Sequence, residues 1–299
     1  MNPSDYLDLL AKSRHLCFLK KKENPRSVSV AISALGKQYV CGNIESYNHM
    51  LDITSEHAVL ILAMNSGDPY IKEVITLLDT EGAIGQSRLQ VNPLIIKVLV
   101  DHYIRTGTKI AYSVYSREGK KLIDIPDVWN YLPGYQPEML DLDFIKSQKP
   151  ASDKVEYQGE PLEKILKECA IRGMDRAMLA ANQGTRYGAA VLTDKGNIYF
   201  AGQYGSFEHR LNVHAEMAAF VCALANDDRN ITHLGLVSDK FRDEPVSACG
   251  CCRQFYSEII QRTGRDIEYF LFALDTDEFS TYSQEEYLPG KWSSIKAKK

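Results

Sequence analysis

The sequence predicts an α/β protein: a three-layer α/β/α sandwich with a mixed sheet, present as two tandem copies. Three observations carry that prediction. Helix-like and strand-like hydrophobic periods alternate along the chain. The second half repeats the first at a nearly constant offset, the mark of a duplicated unit. Within each unit the last strands are separated by helix-length segments, and such crossovers join parallel neighbours.

The repeat is legible residue by residue. With the chain slid by 160 residues, nine identical pairs fall between positions 36 and 63: Gly36/Gly196, Tyr39/Tyr199, Gly42/Gly202, Ser46/Ser206, His49/His209, Leu51/Leu211, Glu56/Glu216, Ala58/Ala218 and Ala63/Ala223. Farther on the offset becomes 157, where "RTGTKIAYSV" from Arg105 meets "RTGRDIEYFL" from Arg262. It is 156 where "YLPG" from Tyr131 meets "YLPG" from Tyr287. Loop-length changes produce a drift of this size. The join is expected in the polar stretch 146–161, which holds Pro150 and Pro161 and has no apolar period. That divides the chain into residues 1–148 and 149–299.

Each unit then reads in one order. "SDYLDLLAKSRHLCFLKK" and "EPLEKILKECAIRGMDRAMLAA" show apolar residues at three- and four-residue steps and predict an opening helix. "VSVAISAL" with "KQYVCGN", and "YGAAVLT" with "NIYFAGQ", are strand pairs broken by turn residues, and predict hairpins. Helices follow near 54–66 and 214–226, then the strands "VITLL" and "LGLVS". Second helices over about 93–105 and 250–262 lead to the strands "KIAYSVY" and "IEYFLFAL".

Bulk properties narrow the function. The apolar fraction of 44% permits a sizeable core. The net charge of −4 argues against a general nucleic-acid-binding surface, and the basic runs "FLKKKENPR" and "SIKAKK" read as solvated segments. The opening residues carry no secretory signal, and no run reaches the roughly 18 apolar residues of a membrane span. A cytoplasmic protein is expected. In a reducing compartment, closely spaced cysteines point to metal or redox chemistry rather than to structural disulfides.

Three of the seven cysteines stand within four positions, at Cys249, Cys251 and Cys252. Upstream lies "HAE", His214 to Glu216. His214, Cys249 and Cys252 are ligand types that zinc prefers, and a Cys-x-x-Cys spacing lets two thiolates reach one ion from the first turn of a helix. The positive end of that helix favours the thiolate forms. Glu216, two residues past His214 at a helix start, can face the same pocket. Three protein ligands with a neighbouring carboxylate match the catalytic pattern of zinc sites. A structural site closed by Cys251 or His209 is an alternative, and a redox Cys-x-x-Cys is another. In the first copy, Thr54 stands for His214, Ser55 for Ala215, Asn92 for Cys249 and Ile95 for Cys252, while Glu56 stands for Glu216. That copy is expected to be non-catalytic, with His49 and His57 as ordinary hydrogen-bond partners.

"VHAEMAA" with "SACGCCRQFYSEI" resembles the cytidine deaminase family of zinc hydrolases, whose general signature is His-x-Glu followed by Pro-Cys-x-x-Cys. "GAAVLTDKGNIYFAG" resembles that family's strand pair, and "YLPG" its Leu-Leu-Pro segment. The resemblance covers most of 160–290, with a degenerate version over 25–135. It implies Zn2+ on His214, Cys249 and Cys252, and Glu216 as the catalytic proton shuttle. Arg253 would hydrogen-bond a thiolate. Ala248 replaces the family's proline before the first cysteine. Tyr204 and Ser206 occupy the places of the Asn and Glu that hold ribose hydroxyls, and Thr185 that of an upstream Phe. Tyr204, Phe207 and Ala215 are the candidate substrate contacts. The expected substrate is a small nucleoside or base, with a base in RNA or a nucleotide as the alternative, and a non-catalytic partner protein as a third reading. By analogy with duplicated members, a homodimer is expected.

Overall fold

A computed structural model describes residues 3–21, 24–79, 93–131, 151–179, 184–206 and 208–289. The first half contains α1 (Pro3–Lys12), β1 (Arg26–Ser33), β2 (Gln38–Gly42), α2 (Ser55–Asn65), β3 (Ile71–Asp79), α3 (Pro93–Thr106), β4 (Ala111–Ser116) and β5 (Lys121–Ile125). The second contains β6 (Lys154–Glu156), α4 (Leu162–Met174), β7 (Tyr187–Thr193), β8 (Asn197–Gly202), α5 (Ala215–Ala225), β9 (Ile231–Ser238), α6 (Gly250–Thr263), β10 (Glu268–Phe272), β11 (Phe279–Ser283) and α7 (Gln284–Tyr287). Among the described residues no helix is long and apolar enough to cross a membrane.

The two sheets have the same order. One runs β2-β1-β3-β4-β5, the other β8-β7-β9-β10-β11 with β6 added outside β8. Their registers repeat at the sequence offset: Val28 faces Gly42 as Gly188 faces Gly202, and both sheets break register at the equivalent place, between Ile32 and Ser33 and between Leu192 and Thr193. The β3/β4 and β9/β10 pairs are parallel, joined through α3 and α6 as the crossover pattern requires, and the other pairs are antiparallel.

Strand alternation sends side chains to two faces. From β1, Val28, Val30 and Ile32 join Leu10 of α1 in an outer cluster, while Ala31 faces α2. From β7, Ala190 and Leu192 join Leu166 and Ala170 of α4, while Ala189 and Val191 face α5. The inner faces share one apolar cluster that runs through both halves. All eleven residues of α2 are buried, and in α5 every residue but Ala225 is buried. Helices apolar on all sides belong in an interior, and these two lie against each other between the sheets. The layers therefore run α1, first sheet, inner helices, second sheet, α4.

Polar side chains cross between the halves in a two-fold-like pattern. Glu258 of α6 accepts from Ser46 Oγ (3.1 Å) and Tyr47 N (2.8 Å) of the first half. Asp101 of α3, its equivalent at the 157 offset, accepts from Ser206 Oγ (2.5 Å) of the second. A patch i meeting j while j meets i is what two-fold association of like units produces.

Three expectations change. The opening helices are shorter than their periodicity: α1 ends at Lys12 before a 3₁₀ turn, and α4 ends at Met174. The chain must leave the helix there because Cys17 and Ala177 pass directly over Gly42 and Gly202. The polar join holds a strand, β6, whose Val155 packs on the outer cluster beside α4; the division near residue 148 lies outside the described residues. Each sheet also has a terminal strand, β5 or β11, that the sequence pattern does not single out.

The conserved register explains one repeated glycine. A Cβ on Gly202 would lie 2.4 Å from Ala177 N, and one on Gly42 would lie 2.5 Å from Cys17 N. Gly202→Ala is expected to destabilise the protein by about 1–3 kcal/mol rather than give the usual small gain of removing a glycine. Thermal unfolding of the variant checks this, and an unchanged or raised Tm would contradict it.

Candidate metal centre and active-site cavity

The site is built where two helices begin. His214 is the N-cap residue of α5 (φ −70°, ψ 158°) and Cys249 that of α6 (φ −72°, ψ 162°). Neither side chain caps its own helix. Instead both cysteine sulfurs approach one nitrogen: Cys249 Sγ and Cys252 Sγ each lie 3.3 Å from His214 Nδ1. Among the described residues these three form the His/Cys/carboxylate group able to hold a metal, with ligand atoms within 4.8 Å of one another. Cys251 and His209 are exposed and outside it.

The geometry suits zinc. With Zn–S near 2.3 Å and Zn–N near 2.0 Å, tetrahedral coordination separates sulfur and nitrogen by about 3.5 Å. One imidazole with two thiols is a donor set zinc takes. The electrostatics agree. Hydrogen bonds from Cys252 and His214 outweigh burial and hold the Cys249 thiol down at about 3. The bond to Cys249, opposed by burial and helped by Glu216, lifts His214 to about 9. Cys252, donating to Cys249 and fully buried, is pushed up. The cluster is thus held together by protons that a divalent cation would displace.

Glu216 follows His214 in the first turn of α5 and is 3% exposed. Burial raises its carboxyl above the ordinary carboxylate range, with His214 opposing. Glu216, His214 and Cys249 line one cavity of about 370 Å³. Gln203, Tyr204, Gly205, Thr185, Asn212 and Ser247 also line it. Gln203 is committed to the backbone, accepting from Tyr187 N and donating to Thr185 O, and Asn212 accepts from Ser206 N. No lysine or arginine is among the described lining residues.

The other sequence candidates fall as follows. Ala215 is fully buried at the cavity edge. Tyr204 lines the wall but is 1% exposed, with its ring packed inward. Phe207 lies outside the described residues. Arg253 differs from expectation. Its guanidinium bonds Ala248 O (2.8 Å), Tyr287 O (3.1 Å) and Ser247 Oγ (2.9 Å) and stacks on the Tyr287 ring, rather than reaching a sulfur. Oxygen acceptors on both sides of its stem outcompete a weakly accepting thiol, so it fixes the approach to Cys249. Asn212 was not singled out from the sequence. A signal existed: Ser46 with Asp52 and Ser206 with Asn212 repeat the same backbone-to-side-chain bond six residues apart.

The first half keeps the scaffold without the ligands. Thr54 is the N-cap of α2 with nearly the backbone of His214 (φ −69°, ψ 156°), but its side chain accepts from His57 N, as a capping threonine does. Glu56 accepts from Tyr112 Oη (2.8 Å) and Thr76 Oγ1 (2.9 Å), so its carboxylate is tied into the core.

Comparison with known proteins gives one family. No family profile matches the chain. It is 35% identical over 71 residues to a cytidine deaminase of Sporosarcina psychrophila, covering 24% of this chain and about half, 51%, of that one. It is 30% identical over 108 residues to a probable cytidine deaminase of Dictyostelium discoideum, covering 36% of this chain and 69% of that one. Among solved structures it is similar to cytidine deaminase from Burkholderia pseudomallei (TM-score 0.38, 24% identity, 43% of this chain, 98% of that one). It is also similar to the enzyme from Mycobacterium tuberculosis (TM-score 0.37, 17% identity, 45% and 99%). The chain belongs to the cytidine deaminase family.

Arg253→Ala is expected to weaken metal binding roughly 10–100-fold, the usual cost of losing a residue that orients a ligand. Arg253→Lys should not restore it, since lysine lacks the fork. Chelator-competition titration measures both, and unchanged affinity in Arg253→Ala would mean the Cys249 approach is set without it.

Proposed function

We propose that this chain is a zinc-dependent hydrolase that removes the exocyclic amine of a cytidine-like nucleoside or base and releases ammonia. The observation that carries the proposal is the meeting of His214, Cys249 and Cys252 within 4.8 Å on a cavity that Glu216 also lines. The names of the sequence relatives point the same way.

The three ligands would hold Zn2+, which when bound supplies the Lewis acidity that brings a water's pKa toward about 7. Glu216 does the proton work. Its carboxylate, made more basic by burial, takes one proton from water and gives it to the ring nitrogen, then takes the second from the newly added hydroxyl and gives it to the departing amine. Atoms balance: water adds its oxygen at the amino-bearing carbon, the C–N bond breaks and ammonia leaves. Committed side chains such as Gln203 keep the cavity's shape.

A neutral small substrate is favoured over RNA or a nucleotide. Recognition of phosphate rests on Lys, Arg or free backbone N–H groups, and the described lining has no cationic side chain apart from His214. The first half, residues 1–148, serves as a non-catalytic partner to the catalytic residues 149–299, because Thr54 caps a helix where His214 meets cysteines. Two such chains would pair as a cytoplasmic homodimer, by analogy with assemblies of four like units; light scattering at monomer mass would contradict the pairing.

Glu216→Gln is expected to retain zinc and to lower kcat by about 10²–10⁴. Glu56→Gln should leave zinc content and turnover unchanged. Metal analysis and ammonia release from cytidine, deoxycytidine and cytosine test both. Full activity in Glu216→Gln would overturn the mechanism, and loss in Glu56→Gln would overturn the division of labour.

A further inference from the structure

The two-fold-like relation between the halves supplies an internal control. Contacts present in both copies read as scaffold. Contacts present around one cavity only can serve that cavity. The Glu258–Ser46 and Asp101–Ser206 bonds belong to the first kind.

One contact belongs to the second. His102 of α3 reaches from the first half to the wall of the cavity in the second. Its Nδ1 lies 2.8 Å from Tyr204 Oη, and its Nε2 lies 2.6 Å from Pro69 O. A carbonyl only accepts, so Nε2 carries the proton and donates to Pro69 O. Nδ1 is then an acceptor, and the Tyr204 hydroxyl donates to it. Burial pushes the His102 imidazole down to about 4, which keeps this neutral tautomer in place at physiological pH. The two rings are parallel within 4°, and the His57 ring meets the other side of Tyr204 edge-on at 5.0 Å.

The equivalents of this pair are apolar. Ile44 stands for Tyr204 at the 160 offset, and Ile259 stands for His102 at 157. Both are buried in the shared cluster. The hydrogen-bonded pair thus exists only beside the cavity that holds His214 and Glu216.

Tyr204 is where such a contact acts on the site. β8 ends at Gly202, and the next residues form the cavity wall. Tyr204 exchanges two backbone bonds with Val213 (2.8 and 3.0 Å), the residue before His214. The same backbone pair joins Ile44 and Ile53 in the first half, so what is particular to Tyr204 is its side chain, which His102 holds between the cavity lining and the chain entering the His214 N-cap.

We propose that His102 is a positioning residue for the reaction of the other half: it holds Tyr204, and through it the substrate-facing wall 203–205, in register with Glu216 and His214. This deepens the deaminase reading and rests on it. It gives the first half a direct task at the active site.

The test uses the full-length, zinc-loaded protein with cytidine. His102→Leu removes the acceptor and keeps an apolar filler. His102→Asn keeps an acceptor close to where Nδ1 stands. His102→Ile combined with Tyr204→Ile installs the residues found at the equivalent places and guards against simple misfolding. The expected result is a KM about tenfold higher in His102→Leu, with kcat within about threefold and zinc retained. His102→Asn should recover most of the KM. The double isoleucine variant should fold, keep zinc and show the raised KM. A wild-type KM in His102→Leu overturns the inference while leaving the deaminase reading intact. So does a joint fall of kcat, zinc content and Tm that Asn does not rescue, since that marks a merely structural residue. If the zinc-loaded wild type releases no ammonia from cytidine, deoxycytidine or cytosine, the deaminase reading falls and the inference with it.

Discussion

Two helix N-termini meet at one imidazole, and the rest of the structure is arranged around that meeting. An N-cap residue has extended backbone and a side chain that ordinarily turns back to satisfy its own helix. His214 and Cys249 have that backbone but send their side chains across to each other. The first turns of both helices then face a cluster carrying negative charge on sulfur, which their positive ends stabilise. Holding two helix starts in this relation requires fixed distances between α5, α6 and the strands beneath them. The parallel β9/β10 crossover and the fully buried α5 supply that rigidity.

The same backbone carries two different chemistries in one chain. Thr54 and His214 differ by one degree in φ and two in ψ, yet one caps its helix and the other meets two cysteine sulfurs. Glu56 and Glu216 sit at equivalent places and each lines a cavity, yet Glu56 is bound by a tyrosine and a threonine, while Glu216 shares its cavity with His214 and Cys249. A few side chains thus give one shared frame two different polar environments. The two copies bury their inner helices against each other in one cluster. At about 25 cal/mol per Å² of apolar surface removed from water, that burial ties the stability of each half to the other.

Much of this was legible in the sequence. Periodicity located the hairpins and the inner helices, because Val28, Val30 and Ile32 alternate with Ser29 and Ala31 in the way a two-faced strand must. The repeat predicted the same mixed-sheet unit twice. His214, Cys249 and Cys252 stood out because their spacing has a geometric meaning that periodicity cannot mimic. What escaped were properties set by partners far along the chain. Nothing near Tyr204 indicates that its hydroxyl meets His102, 102 positions away. Arg253 looked like a partner for sulfur from its place in the motif, but the oxygens of Ala248 and Tyr287 lie within its reach. β6 was hidden because one apolar residue, Val155, suffices for an edge strand that borrows its hydrogen bonds from β8.

Retaining a half without ligands has a physical rationale in this arrangement. A wall beyond the end of a strand, past Gly202, is paired only through single bridges from Tyr204 to Met178 and Val213, and gains from side-chain anchorage by another element. Such anchorage must come from a surface that does not move with substrate. α3 qualifies: it lies in the opposite half, packs on α2, and presents Asp101 and His102 on consecutive positions toward Ser206 and Tyr204. The Asn65 side chain at the end of α2 adds a third tie, accepting from Gly202 N at 2.8 Å. Three bonds from one half therefore fall on the five residues Gly202 to Ser206 of the other. A catalytic unit alone would leave Asp101, His102 and Asn65 absent and expose the apolar face of α5 to water. The first half is thus a permanent neighbour supplied in the same chain, at an effective concentration no free partner could match.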